Sequence, residues 1–408
     1  MTLQPSSSVE AANLADPDFW LGDTVHNDLA RLRRENPISW HEHPESGRGM
    51  WSVVRHDDIC EITRDVETFV NRHGVRPHHD ADSPGLIQPG TGVMQTMDPP
   101  NHTVNRKFVS PSFTVRRINQ MTEYVRTRAS AIVEELPEHG TIDFVEEVAA
   151  RLPMEIICDV LDIPAADRAH LQHLTNLALG DQDPTYGATP AEGAQATRAM
   201  REYGLALGLE RRRQPGDDLL SIVAAQRPDG SALTDEQLAA MFGLVVAAGN
   251  ETTRTAISHG MLALSEFPDQ RVRWMADPEG LERLAAEEII RWATPVRCIR
   301  RTVSRDIEYR GVPMRKGDKV VLWFASGNRD EDAFEDPDTF NLARDPNPSL
   351  SFGAAGPHFC LGANLARREV SVLFQALFSR FPEAHVVGRP TMLRSVLVNG
   401  VKSMRVEL

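Results

Sequence analysis

Cysteine is scarce in this chain: Cys60, Cys158, Cys298 and Cys360 are the four among 408 residues. They lie far apart and form no C-x-x-C pair, which argues against a disulfide framework and a cysteine-rich zinc site. A reducing compartment fits this usage. Long apolar runs are missing too. No stretch approaches the roughly 18 residues of a membrane span. The opening MTLQPSSSVEAANLADPDFW has no basic start and no apolar run of signal-peptide length. A cytoplasmic protein without membrane attachment is therefore expected. Net positive charge is also absent. The formal charge of −14 repels nucleic acid and anionic lipid overall, so neither is an expected partner. Internal repeats, low-complexity tracts and linkers able to split the chain are not found.

What is present is an ordinary globular composition, 41% hydrophobic and 25% charged, able to bury a large core. Residues 1–15 are polar and expected to be flexible, which leaves one domain over 16–408. Residues 38–55 place β-favouring residues on both sides of the turn-forming PESGRG and read as a hairpin. Residues 71–96 hold Gly74, Pro77, Pro84, Gly85, Pro89, Gly90 and Gly92, a long loop of the kind that is commonly functional. From about 100 to 293 the pattern is mainly helical. Thr234 opens a T-D-E-Q capping box, and apolar residues then recur at helical spacing to about Ser265, before Pro268. Such a helix is far longer than the usual 11–12 residues and should cross the core. Residues 306–323 read as strand, turn, strand, 361–381 as a helix, and 384–408 as short strands. The fold class is mainly α (α+β), helix-rich with small peripheral β-sheets.

Residues 351–362, SFGAAGPHFCLG, precede a helix directly. A thiol titrates near about 8.5, and Cys360 sits where a helix N-terminus would stabilise its anion. The N–H groups of Leu361 and Gly362 are the expected donors to its sulfur. Gly353 and Gly356 allow the loop to fold tightly against a flat ligand. His358 offers a donor to an anionic edge, and Phe352 a shield for the sulfur. A buried cysteine in a glycine-rich turn is the plain alternative.

Inside the long helix lies A247-A-G-N-E-T-T253. The small residues Ala248 and Gly249 let a flat cofactor approach the backbone. Thr252 can bond a carbonyl one turn back and open the helix locally, and Glu251 offers a carboxyl for proton delivery. A kink beside a solvated acid is the plain reading. His73, His78 and His79 lack a partner with firm metal-ligand spacing, and Arg211–Arg213 reads as a solvated helix end.

The cysteine segment resembles the haem-binding signature of the cytochrome P450 family, with one extra residue between Phe352 and Cys360. The A-G-N-E-T-T stretch is similar to that family's distal-helix motif. Further segments follow in family order. These are the pair His102 and Arg106, the pair Glu288 and Arg291 with Arg344 as its candidate third member from the segment 334–344, and Arg301. The resemblance implies haem b held by Cys360 as axial thiolate, with Glu251 and Thr252 handling protons. It also implies propionates bound by His102, Arg106, Arg301 and His358. The implied reaction is oxygen insertion from O2 into a hydrophobic small molecule such as a terpenoid, steroid or branched lipid. Two electrons come from a ferredoxin and its ferredoxin reductase, the ferredoxin docking near Lys107, Arg367 and Arg368. The expected substrate pocket comprises Leu86, Ile87, Val93, Met94, Val245, Ala248, Val296, Arg297 and Val398, with Arg297 able to anchor a carboxylate if it faces inward. A tailoring oxygenase of a carrier-bound amino acid and a non-turnover gas-binding haem protein are the competing functions.

Overall fold

The computed structural model describes residues 12–44, 49–77, 93–180, 182–186, 189–226 and 229–408. Its axis is the helix Asp235–Glu266. The Thr234 hydroxyl accepts from the Gln237 N–H, and the Gln237 side chain accepts from the Thr234 N–H, so both ends of the capping box form. The 32 residues span about 48 Å. Its middle is buried on nearly every side, as expected of a helix enclosed by other helices. Pro190–Arg213, Arg151–Val160, Glu282–Ala293 and Ala363–Arg380 pack around it. Pro268 begins the following helix, Pro268–Ala276. One apolar core fills the space between the long helix, Glu282–Ala293 and Ala363–Arg380. A second lies between it and the helices of 151–224.

The sheets are peripheral. The hairpin Ile38–Glu42 and Gly49–Val53 pairs Trp40 opposite Trp51. It extends through Lys319–Leu322 and Ile299–Val303 to Phe69–Val70, a five-stranded sheet in which Gly49–Val53 and Lys319–Leu322 run parallel. Ile307–Tyr309 and Val312–Met314 form a separate hairpin. Thr141–Asp143, Arg405–Glu407 and His385–Val386 form a three-stranded sheet.

Order begins earlier than the polar composition of residues 1–15 suggests. Ala12, Leu14 and Ala15 are buried in one cluster with Trp20, Trp323, Cys298 and Val396. The Leu14 carbonyl accepts from the Trp20 indole N–H at 3.1 Å. Two alanines and one leucine among polar neighbours are enough to anchor the strand of chain once Trp20 stacks on Trp323 at 4.8 Å. No helix among the described residues is long and apolar enough to cross a membrane.

Candidate active site

A cavity of about 320 Å³ lies between the long helix and the loop ahead of Ala363–Arg380. Cys360 opens into it from the loop side, and Ala248, Gly249 and Thr252 line it from the helix side. The loop is shaped by glycine. Gly353 has φ +84°, a conformation side-chain-bearing residues rarely adopt. A β-carbon on Gly356 would lie 2.8 Å from the Thr63 carbonyl oxygen. The Cys360 N–H donates to the Phe352 carbonyl at 2.8 Å, which holds the phenylalanine beside the cysteine despite the extra intervening residue. Phe352 is buried, and the Arg367 guanidinium lies 4.4 Å from its ring centre.

Burial pushes the Cys360 thiol up, and N–H groups of Gly362 and Ala363, with the Arg106 and Arg367 guanidinium groups, act in the opposite direction. The sulfur's donors are thus Gly362 and Ala363. The expected pair, Leu361 and Gly362, is displaced by one residue because the helix itself starts at Ala363, with Gly362 as its cap. That is still the anion-stabilising end of a helix.

Opposite the cysteine, the Thr252 hydroxyl donates to the Ala248 carbonyl at 2.7 Å, the local back-bond expected of a threonine here. Gly249 has a further role. A β-carbon there would lie 2.9 Å from Ile157 Cδ1, so its smallness also admits the neighbouring helix. Glu251 points away from the cavity. It is buried, and the Arg254 Nη2 lies 2.7 Å from its carboxylate. Burial pushes its carboxyl up and Arg254 opposes this.

At one edge of the cavity four nitrogen-bearing side chains converge. His102 and His358 stack with ring centres 3.9 Å apart, and Arg106 and Arg301 line the same wall. Both ring nitrogens of His102 and Nε2 of His358 are buried without a hydrogen-bond partner. No carboxylate forms an ion pair with any of the four among the described residues. Burial first, then the neighbouring cations, drives His358 down to about 2, and burial followed by Arg106 drives His102 down to about 4. Orphaned donors and mutually repelling cations fit a dianionic ligand edge, as two carboxylates would provide. A thiol across an apolar slot from a helix of small residues fits a flat, iron-bearing ring.

The family model described as Cytochrome P450 matches residues 283–403. Over 99% of its length the chain is 41% identical to a methyl-branched lipid omega-hydroxylase of Mycobacterium tuberculosis, covering 96% of that protein. It is 36% identical to a steroid C26-monooxygenase of Rhodococcus jostii, over 98% of this chain and 85% of that one. Its fold matches a Mycobacterium marinum cytochrome P450 solved with pseudoionone, with TM-score 0.91, 36% identity and full coverage of both chains.

The chain belongs to the cytochrome P450 family.

It is accordingly a haem-dependent monooxygenase of hydrophobic small molecules, and haem held by a cysteine thiolate is its cofactor. In this P450 the Glu288 and Arg291 pair is wholly buried, with Nε 2.7 Å and Nη2 2.8 Å from the two carboxylate oxygens. Arg344 joins at 3.2 Å, and the Asn341 N–H and Asn347 amide also donate to Glu288. Asn328, which sequence reasoning missed, ties this cluster to the cysteine loop. Its side chain accepts from the Leu350 N–H at 2.7 Å and donates to Thr294 and Ser351. A single asparagine in ASGNRDED carries no local signal of that role.

Of the expected pocket residues, Met94, Val245, Ala248 and Val296 line the cavity. Val93 is fully buried behind it, and Val398 is buried and paired with Val296 across an isolated bridge, so neither belongs to the lining. Arg297 faces the other way. Its guanidinium donates to the carbonyls of Ser395 and Val398 and, at 2.7 Å, to the Asn399 side chain, and lies over Trp20. The reading of Arg297 as a carboxylate anchor is overturned: extended backbone alternates its side chains, so an inward Val296 turns Arg297 outward. Leu86, Ile87, His78 and His79 lie outside the described residues. Phe113, Ile157, Met241, Leu244 and Ile299 complete an apolar lining that a one-dimensional reading did not assemble. The expected basic face is also changed. Arg367 pairs with Glu287 at 2.6 Å and Arg368 with Glu282, so two acids of the neighbouring helix Glu282–Ala293 offset both charges, while Lys107 is exposed.

Proposed function

We propose that this P450 hydroxylates a lipophilic molecule bearing an aliphatic, branched chain, such as a methyl-branched lipid or a sterol side chain. One observation carries the reading: the Cys360 thiol and the Thr252 hydroxyl line one apolar cavity from opposite walls. When bound, haem supplies the activation of O2 with two external electrons. Cys360 holds the iron, and Arg106, Arg301, His102 and His358 hold the propionates. Thr252 would order water over the reacting face, and the Glu251 carboxylate, set behind it, would take up and pass on the proton to be delivered. Glu288, Arg291 and Arg344 lock the framework behind the cysteine loop. Away from the wall of Arg106 and Arg301, the described lining beside Thr252 is largely apolar, which favours a substrate oriented by shape and chain packing. The relatives named for lipid and steroid hydroxylation support that choice.

The electrons come from a ferredoxin reduced by its ferredoxin reductase, in a cytoplasmic setting consistent with free cysteines. Titration of the ferric protein with branched fatty acids, sterols, terpenes and amino acids tests the substrate class by the spectral shift. Tight shifts with branched lipids or sterols are expected, and a response confined to amino acids would reject it. In the reduced protein, the red-shifted carbon monoxide band should vanish on Cys360→Ser. Its survival would reject the assigned ligand.

A further inference from the structure

The turn 395–399 backs the wall of the haem cavity at Val296. Val296 pairs with Val398 across an isolated bridge, the Arg297 N–H donates to the Leu397 carbonyl at 2.8 Å, and the Asn399 N–H donates to the Pro295 carbonyl at 3.0 Å. Pro295, Val296 and Ile299 line the cavity, so a shift of the turn moves that wall. Arg297 fastens the turn from behind, through the carbonyls of Ser395 and Val398 and the Asn399 side chain.

Arg297 carries a buried charge without an anion. It is 3% exposed, and among the described residues no carboxylate forms an ion pair with it. Burial pushes its guanidinium down to about 9, since an unmatched cation is unfavourable inside a protein. Three neutral oxygens and one aromatic face receive the charge. The face belongs to Trp20, whose ring centre lies 5.2 Å from the guanidinium carbon. Attraction between a cation and an indole face strengthens where water is excluded, and Trp20 is buried. Trp20 is fixed in turn. Its ring stacks on Trp323 at 4.8 Å, Phe19 meets it edge-on at 5.2 Å, and its indole N–H donates to the Leu14 carbonyl. Two residues before it, the Asp18 carboxylate accepts from Arg394 Nε at 2.5 Å and Nη2 at 3.0 Å, directly ahead of the turn.

We propose that Trp20 is a positioning residue for substrate: its indole face holds the Arg297 guanidinium, which holds the 395–399 turn and with it the cavity wall at Val296. The segment 12–20 thereby acts on the pocket from outside it, since none of its residues is in the described lining. The inference rests on the reading of this cavity as the substrate site. Arg297 stays turned from the cavity, so the effect is on fit and not on recognition of charge.

Two iron-binding probes and two variants test it in the haem-loaded protein. Imidazole needs no wall, whereas phenylimidazole presses a ring on the lining. The ratio of their spectral dissociation constants therefore reads fit and not overall stability. Trp20→Leu keeps an apolar side chain without a π face, and should weaken phenylimidazole relative to imidazole about fivefold or more. Trp20→Phe keeps a face and should recover most of the lost ratio. Backbone amide exchange over 294–299 and 395–399 should quicken in Trp20→Leu and stay near wild type in Trp20→Phe. An unchanged ratio in Trp20→Leu overturns the proposal whatever its melting point, because Trp20 then serves stability alone. Trp20→Phe as poor as Trp20→Leu overturns it too, as does unchanged exchange in both segments. Neither the azoles nor the exchange depends on the natural substrate. Failure here therefore leaves the branched-chain substrate class standing, whereas absent spectral shifts with branched lipids and sterols reject that class alone.

Discussion

Glu251 and Arg254 stand one helical turn apart and close a buried ion pair at 2.7 Å on the side of the long helix turned away from the haem cavity. Arg254 in turn donates to Asn176 at 2.8 Å, and Asn250 donates to Gln172 at 3.1 Å. Consecutive residues on a helix point about 100° apart, and here that step carries Glu251 from the cavity lined by Thr252 to the side held by Arg254. The acid is therefore placed outside the pocket, next in the chain to the threonine that lines it.

Glu251→Gln keeps the shape and removes the carboxylate that would relay the proton. Substrate-coupled turnover should fall on the order of 100-fold, with the carbon monoxide band and ligand-induced spectral shift unchanged. Steady-state product formation per electron consumed checks it, and an undiminished rate would reject Glu251 as the proton donor.

Arg254→Met strands a buried carboxylate. Stability should drop by about 3–5 kcal/mol, measured from the urea midpoint, and the Arg254→Met/Glu251→Gln double variant should recover much of that loss. Additive losses in the double variant would show that the two residues do not act as a pair.

Glu288→Ala leaves two buried guanidinium groups, Arg291 and Arg344, without their anion. Little haem-loaded protein should accumulate, and melting of what remains should be lowered by several degrees. Arg291→Lys should also fail, because one ammonium cannot replace the paired contacts of Nε and Nη2.

The orientation of Arg297 predicts its indifference to substrate charge. For Arg297→Met, the ratio of affinities for a fatty acid and its methyl ester should stay within about twofold of wild type, a difference of roughly 0.4 kcal/mol. The thermal midpoint should fall, since the 395–399 turn loses three hydrogen bonds. A selective loss of acid binding would restore the anchor.

Docking of the proposed ferredoxin should depend on Lys107 more than on Arg367 or Arg368, whose charges are already matched by Glu287 and Glu282. Lys107→Glu should slow ferredoxin-driven reduction several-fold and leave reduction by dithionite unchanged. Equal slowing by both reductants would point to a disturbed haem site.

Several features were legible in residue order because their causes are local. The long helix followed from a capping box and sustained apolar spacing, and both are seen at Thr234–Gln237 and along Asp235–Glu266. The hairpin at 38–53 followed from alternation around a turn. The cysteine loop announced itself through Gly353 and Gly356 beside a thiol at a helix start, and the Thr252 back-bond needed only its own helix. The helices Val25–Glu35 and His56–Arg64 were not anticipated, since their short apolar faces are completed by strands far along the chain.

Residue types and spacing alone determined that a thiol would sit at a helix start and that a long helix would carry small residues and a threonine. Tertiary packing decided which way each of these groups faces. Glu251 turned from the cavity toward Arg254, Arg297 toward the 395–399 turn, and Arg367 toward Glu287 eighty residues away. The reason is range: caps, turns and helical faces are set within about one turn of chain, whereas the partner of a buried charge is chosen by whatever the fold brings beside it.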